Sequence, residues 1–250
     1  MRVKLNKPVF LNTLRSQADT TVRLVIAGLL ILLLYSFVSG KVMVNATPIS
    51  GIDSLVTAGN YLLTTLVWLL GLGLISRDVR SGSIQLVLLR PLTRASYVLS
   101  KWAALASAGV AVLLFMYAAY LAHHGVDGEA AASLVILFGA QCLQVAAIVS
   151  VITLFSTVPI KFGELGLLML CVLVVLMLKL LNLRYEVVLL DQALDIAWRV
   201  VLPSVTFAAG VADTSRGDLM VSLIFNAVVA VAALSGAMAL MARREFAYAE

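Results

Sequence analysis

Charged side chains are scarce in this sequence. Only 12% of its 250 residues are Asp, Glu, Lys or Arg, whereas a soluble domain carries about 25%. So few charges cannot cover a water-exposed surface, and 62% of the residues are apolar. We therefore exclude a soluble globular protein and expect a chain embedded in a membrane.

Patterns for catalysis and metal binding are also missing. The sequence has no Gly-x-x-x-x-Gly-Lys-Ser/Thr phosphate loop and no Gly-x-Ser-x-Gly turn. The adjacent His123 and His124 would point in different directions on a helix, which does not suit a metal site. Cys142 and Cys171 lie in apolar runs, where we expect small packing residues and no disulfide. We expect neither an enzyme nor a bound cofactor or metal in this chain.

Long apolar runs are abundant instead. A helix needs roughly 20 mostly apolar residues to cross the hydrocarbon core, and its backbone groups must bond within the helix. The fold class we expect is therefore all-α and integral to the membrane, as one domain over residues 1–250. The six predicted transmembrane helices are Leu24–Gly40, Leu55–Ser76, Tyr97–Ala122, Ala131–Thr157, Glu164–Asn182 and Leu219–Ala242.

Positive charge predicts the orientation. Cytoplasmic loops carry an excess of Lys and Arg, and a cytoplasmic N-terminus puts most of the 18 Lys and Arg on the inside. We therefore expect a multi-pass protein of a bacterial or archaeal inner membrane, with both termini in the cytoplasm. The net charge of +5 reflects this topology, and no basic face with interleaved aromatics indicates nucleic-acid binding.

The N-terminal segment differs from the spans. Residues 1–20 mix apolar with basic and polar side chains, which predicts a short amphipathic helix on the cytoplasmic membrane face. A disordered basic tail is the alternative. Because residues 24–40 follow this polar stretch, we interpret them as a retained span rather than as a signal peptide.

A second distinct segment, residues 183–218, is only partly apolar and contains Pro203, which breaks a helix. We expect a re-entrant segment on the outer side, before the last span. Asp191, Asp195 and Arg199 recur at i, i+4 and i+8 there. They predict either a row of ion pairs or an outer gate for a substrate.

Polar side chains inside the spans form a further candidate set. Intramembrane polar groups usually face a bundle interior or water, and two of the glutamines share one helix face at i and i+3. We expect them to bond neighbouring helices or to line a translocation path. The candidates are Asn60, Gln141, Gln144 and Asn226.

A compact basic segment lies between the second and third spans. Residues 77–102 read RDVRSGSIQLVLLRPLTRASYVLSKW. We expect its first residues to continue the second helix into water, Gly82 to allow a turn, and Thr93 or Ser96 to cap the next helix. Pro91 closes the apolar stretch between, which predicts a short cytoplasmic helix. Its leucines would be poorly solvated in water. We therefore expect them to bind in a groove of a partner protein, or else to rest on the bilayer.

This segment resembles the loop between the second and third spans in permeases of ATP-binding-cassette (ABC) transporters of the ABC-2 type. Gln85 stands near a position that is often acidic in that pattern. The number of spans, the interfacial helix and the long segment before the last span also resemble that family. The ending Arg243-Arg244-Glu245-Phe246 is similar to tails in the subgroup that includes the nitrous-oxide-reductase maturation permease. The matching loop residues are Asp78, Arg80, Gly82, Leu88-Leu89, Pro91, Arg94, Tyr97 and Lys101.

The resemblance implies the permease subunit of an ATP-driven exporter. Two permease subunits, identical or different, would pair within membrane lipid, each on a separate nucleotide-binding subunit that holds ATP and Mg. A periplasmic accessory protein would be a further partner. The coupling loop would be residues 77–96, with Arg77, Asp78, Arg80, Gly82, Ile84, Leu86, Leu88, Leu89, Arg90, Pro91 and Arg94 as the candidate ATPase-coupling residues.

Two other functions remain open. A secondary transporter or channel would need no ATPase, but the sequence shows no charged or glycine-rich break near the middle of a span. An intramembrane enzyme would need a clustered acid, base or metal set, which is also missing.

Overall fold

The structure is a computed structural model, and within its described residues the chain is helical apart from one minimal β-ladder. Strands β1 (Met43–Val44) and β2 (Thr47–Pro48) pair antiparallel, with Met43 opposite Pro48. The described residues are 6–18, 28, 43–44, 47–48, 55–56, 58–82, 84, 93–124, 128–158, 171, 174, 177–178, 194, 196–197, 200, 203 and 216–243.

Helices of very different lengths build the described part. Four helical runs are long and apolar enough to cross a membrane: Asn60–Val79, Arg94–Ala122, Ser133–Thr157 and Met220–Arg243. A π-helix, Ala58–Leu63, opens the first of these runs. The α-helices are α1 (Lys7–Ala18), α2 (Thr64–Gly71), α3 (Ser76–Arg80), α4 (Arg94–His124), α5 (Gly128–Thr157) and α6 (Arg216–Arg243).

These four runs coincide with the predicted second, third, fourth and sixth spans to within a few residues. Composition locates these spans because the part of a helix that crosses the hydrocarbon core must be mostly apolar. The predicted first and fifth spans, Leu24–Gly40 and Glu164–Asn182, lie outside the described residues apart from isolated positions.

Helix α5 lies at the centre of the bundle and packs against α2, α4 and α6. Between lipid-embedded helices the association depends on close packing, so small residues let backbones approach. A Cβ added at Gly71 would come 2.7 Å from Ile152 Cγ2, and one at Gly109 would come 2.6 Å from Val145 Cγ1. The two glycines therefore set the separation of the second and third spans from α5.

The contacts along α5 fix the direction of each neighbour. The second span runs parallel to α5, since Gln141 contacts Leu55 and Ser156 contacts Ile75. Helix α4 runs antiparallel, with Trp102 bonded to Ser150. Helix α6 runs parallel to α5, because Gly236 approaches Leu154 near the end of both helices.

The second span is interrupted near its end. Helix α2 stops at Gly71, a turn follows in which Gly73 has a φ of 78°, and α3 starts at Ser76. Positive φ carries little penalty for glycine alone, which explains the turn at this sequence. The expectation that Arg77, Asp78 and Arg80 continue the second helix is therefore wrong, because they lie in a separate five-residue helix.

The N-terminal segment forms a helix, as predicted, and α1 packs against the first turns of α4. The Asn6 amide donates to Ser100 Oγ at 2.8 Å, and the Asn6 side chain accepts from the Val9 amide at 3.1 Å. Asn6 thus caps α1 and anchors it to the third span. Thr13, one turn beyond Val9, is also buried.

Candidate functional site

The base of the predicted coupling loop is held together by Asp78. Its Oδ2 accepts a hydrogen bond from the Tyr97 hydroxyl at 2.5 Å and lies 2.9 Å from Lys101 Nζ. Tyr97 and Lys101 stand at i and i+4 on α4, so both reach the same carboxylate from one helix face. The contacts join the end of the second span to the start of the third.

This ion pair is largely removed from water. The Lys101 side chain is 8% exposed and that of Asp78 25%, and Lys101 Nζ also lies 5.7 Å from the centre of the Tyr97 ring. Exposed ion pairs contribute little because water screens them, whereas burial strengthens the attraction and makes loss of one partner costly. Asp78 is therefore a structural anchor whose partners lie within the chain.

Arg94, at the end of the loop where α4 begins, bonds to the last helix. Its Nη1 donates to the carbonyl of Ala242 at 2.9 Å and more weakly to that of Met241 at 3.5 Å. The last carbonyls of a helix have no partner within it and carry partial negative charge, so a guanidinium there stabilises the helix end. Arg94 therefore connects the loop to α6.

Ser156, near the end of α5, supports the break in the second span. Its Oγ accepts hydrogen bonds from the amides of Ile75 at 2.6 Å and Ser76 at 3.1 Å. The first amides of a helix need an acceptor, and Ile75 itself is fully buried. A serine on a neighbouring helix thus takes the place of an N-cap for α3.

We call Asp78, Arg94, Tyr97, Lys101 and Ser156 the loop-base cluster. Its members come from α3, α4 and α5 and reach the end of α6, so they lie at one end of the bundle, which we call the loop end. The cluster therefore closes the base of the predicted coupling loop.

The loop itself is described only in part. Gly82 has a φ of 69°, in agreement with the predicted turn. Thr93 Oγ1 accepts from the Ser96 amide at 3.1 Å, so Thr93 caps α4, as one of the two predicted alternatives. Candidates that lie outside the described residues are Leu86, Leu88, Leu89, Arg90 and Pro91.

Ile84, another of the candidate coupling residues, is 1% exposed and packs in the apolar core of its own chain. Its contact with an ATPase stays a prediction.

A second polar site lies in the middle of the bundle. Gln144 Nε2 donates to the Pro203 carbonyl at 3.0 Å and lies 3.3 Å from both Asn60 Oδ1 and Thr64 Oγ1. Gln141 Nε2 donates to the Leu55 carbonyl at 3.0 Å. We call these six residues the polar layer: Leu55, Asn60, Thr64, Gln141, Gln144 and Pro203.

The polar layer joins three parts of the chain. Both glutamines are fully buried, and Gln144 stands near the centre of the candidate span Ser133–Thr157. The predicted role of Asn60, Gln141 and Gln144 in bonding neighbouring helices is confirmed. Among the described residues, no donor reaches Gln141 Oε1.

The structure describes one of the remaining predicted site residues, Asn226, which is buried on α6 and 1% exposed. Asp191, Asp195 and Arg199, the predicted outer gate, lie outside the described residues, although Leu194 beside them is buried. In the described part of the chain, no group of three or more His, Cys, Asp or Glu could hold a metal ion.

Sequence reasoning missed Ser156 and Thr64 and gave Tyr97 and Lys101 only as parts of a motif. The sequence did contain a pattern that predicts the contacts of Tyr97 and Lys101. An acid just after one span and a tyrosine and lysine at i and i+4 at the start of the next must come close when the spans are adjacent. Ser156 carries no such signal, because its partners are backbone amides.

The described residues, with their long apolar helices, define a class: a predominantly helical, membrane-embedded protein. No family model matches the chain, and no curated protein matches it either.

Proposed function

We propose that the chain is the membrane subunit of an ABC transporter of the ABC-2 type, acting as an exporter. The observation that carries this proposal is the closed loop base. Asp78, Arg94, Tyr97 and Lys101, four residues of the motif that resembles the family's coupling loop, all make contacts that fix the loop's two ends.

A fixed base is what a coupling loop requires mechanically. A push on residues 83–92 moves the second and third spans together, since Asp78 binds Tyr97 and Lys101. Arg94 passes the same displacement to the end of α6. If the two ends of the loop were not bonded to each other, the loop would bend under the push and the two spans would not move together. ATP and Mg belong to a separate nucleotide-binding subunit, and this chain converts that subunit's motion into helix movement.

We propose six spans in total, with both termini in the cytoplasm. Helix α1 and the end of α5 both lie at the loop end. The second span starts at the polar layer and runs toward the loop end, and α6 also ends there. We therefore propose that residues 19–54 and 158–215 each cross the membrane once, at the predicted spans 24–40 and 164–182.

We also propose that residues 183–218 enter the bundle from the outer side and return. The support is the bond from Gln144 to the Pro203 carbonyl, at the middle of a candidate span. A proline carbonyl at that depth must be bonded within protein. On this reading the polar layer holds the segment against the second span, and the substrate path lies beside it.

A secondary transporter is the second candidate, because the turn after Gly71 is a glycine-rich break in a span. In such transporters, broken helices meet substrate or ions near mid-membrane. Here the break lies near the loop end, and Ser156 bonds its amides. The geometry therefore favours a break that shapes the loop base.

Co-purification tests the proposal. The tagged chain is co-expressed with its genomic neighbours, and we expect a nucleotide-binding subunit to copurify. Leu88→Asp with Leu89→Asp should release that subunit. The control is Leu11→Asp, which makes the same chemical change at an exposed leucine of α1 at the loop end and should leave the complex intact. A wild-type chain that purifies alone, or a complex that survives the double change, would contradict the proposal.

A further inference from the structure

Helix α1 carries a stripe of exposed residues that the loop-base cluster does not use. Lys7, Leu11 and Arg15 are exposed, with Leu11 at 62%, and their spacing of four places them along one face. The opposite face, with Val9 and Thr13, packs toward the bundle. A large apolar side chain between two cations is thus directed away from the protein.

The depth of α1 follows from its anchor. The Asn6 amide bonds to Ser100 Oγ, which places the start of α1 beside Lys101 and Trp102 at the beginning of the apolar part of α4. Lysine and tryptophan are residues of the membrane–water interface. The start of α1, with Lys7, therefore lies at the level of lipid headgroups, where a leucine can enter the acyl boundary while its flanking cations remain among phosphates.

The exposed charges that the structure describes at the loop end have one sign. Among the residues whose side chains the structure describes, those that are both exposed and charged are Lys7, Arg15, Arg77 and Arg243. Lys7, Arg77 and Arg243 lie at the loop end, Arg15 follows Lys7 along α1, and Asp78, the anion described there, is bonded to Lys101. The two cations that flank Leu11, Lys7 and Arg15, complement an anionic membrane, and each basic residue near one adds attraction.

We propose that the stripe Lys7–Leu11–Arg15 is a docking surface for anionic lipid headgroups, with the Leu11 side chain inserted between them. The lipid class is one whose headgroup carries net negative charge, such as phosphatidylglycerol. This inference is independent of the ATPase partner, since it concerns only the chain and its bilayer.

The test places an environment-sensitive fluorophore on Leu11→Cys in full-length chain with Cys142→Ala and Cys171→Ala. The chain is reconstituted in nanodiscs of phosphatidylcholine alone or mixed with phosphatidylglycerol, and quenching by acrylamide is measured, because this neutral quencher is not repelled by the lipid. We expect strong protection only with phosphatidylglycerol. Lys7→Glu with Arg15→Glu should weaken the protected state on the order of 30-fold, from the attraction of two basic residues.

The matched control is Arg77→Glu with Arg243→Glu, which changes the net charge equally at the same end but on other helices. It should leave the label protected. Equal quenching in both lipid mixtures would overturn the proposal, as would equal loss of protection in the two charge variants. Protection that requires an added nucleotide-binding subunit would assign the stripe to a protein partner instead and would also overturn it.

Discussion

The Asp78 carboxylate and the Lys101 ammonium lie 2.9 Å apart and join α3 to α4 across the base of the predicted coupling loop. Tyr97 donates to the same oxygen from one turn away. The carboxylate is thus held by a charge and by a hydroxyl, and the position of the loop relative to the bundle depends on it.

The first prediction concerns this pair. Asp78→Asn and Lys101→Met should each destabilise the protein, because each leaves a half-buried partner without its counter-charge. In a double-mutant cycle read by unfolding in detergent, we expect a coupling of about 1–3 kcal/mol. Strictly additive single changes would show that the two side chains do not interact.

The second prediction concerns the break in the second span. Ser156→Ala removes the acceptor of the Ile75 and Ser76 amides and should lower the free energy of unfolding by about 1–2 kcal/mol, as loss of a helix cap does. The control is Ser235→Ala, on an exposed serine that bonds only its own helix carbonyl at Val231. It should change stability by less than about 0.5 kcal/mol, and equal effects would contradict the role of Ser156.

The third prediction concerns close approach of helices. Gly109→Ala would put a methyl group 2.6 Å from Val145 Cγ1, and valine has little rotamer freedom in a helix. We expect a loss of about 1–3 kcal/mol from overpacking. At the exposed helical Gly139, where an added Cβ meets nothing within 4 Å, alanine should be neutral or stabilise by up to about 1 kcal/mol. A tolerated Gly109→Ala would contradict the packing described.

The fourth prediction concerns the polar layer. Gln144→Leu leaves the Pro203 carbonyl and the Asn60 and Thr64 side chains without their amide donor. Interhelical hydrogen bonds in membranes contribute about 0.6 kcal/mol each, so we expect a loss of about 1–2 kcal/mol. Hydrogen exchange in Ala58–Leu63 should also quicken. Ser107→Ala, at an exposed serine bonded only within its helix, should leave that exchange unchanged.

Hydropathy predicted the described spans well because a bilayer imposes one requirement, a long apolar helix, on every span. It did not predict the break after Gly71. The turn stays as apolar as the helix around it, and only Gly73, with its positive φ, marks the site. The amphipathic character of residues 7–18 was also readable from sequence, since one helix face meets the protein.

The sequence identified the residues of the candidate site but not the contacts that they make. The motif residues Asp78, Arg94, Tyr97 and Lys101 were all identified, yet the internal partners of Asp78 and Arg94 depend on how four helix ends meet. The burial of Ile84 was not predicted, because an apolar residue beside a loop can face a partner or its own core, and composition does not separate the two. Gln144 was identified because a buried amide in a span must find partners.

The central claim is that the proposed coupling loop, residues 77–96, meets a nucleotide-binding subunit. A photo-crosslinking amino acid at Leu88 tests it most directly in native membranes, with the same probe at Leu114, exposed on α4, as control. We predict an adduct between Leu88 and the ATPase subunit, and only lipid adducts at Leu114. Lipid adducts alone at Leu88, with the ATPase present, would contradict the account.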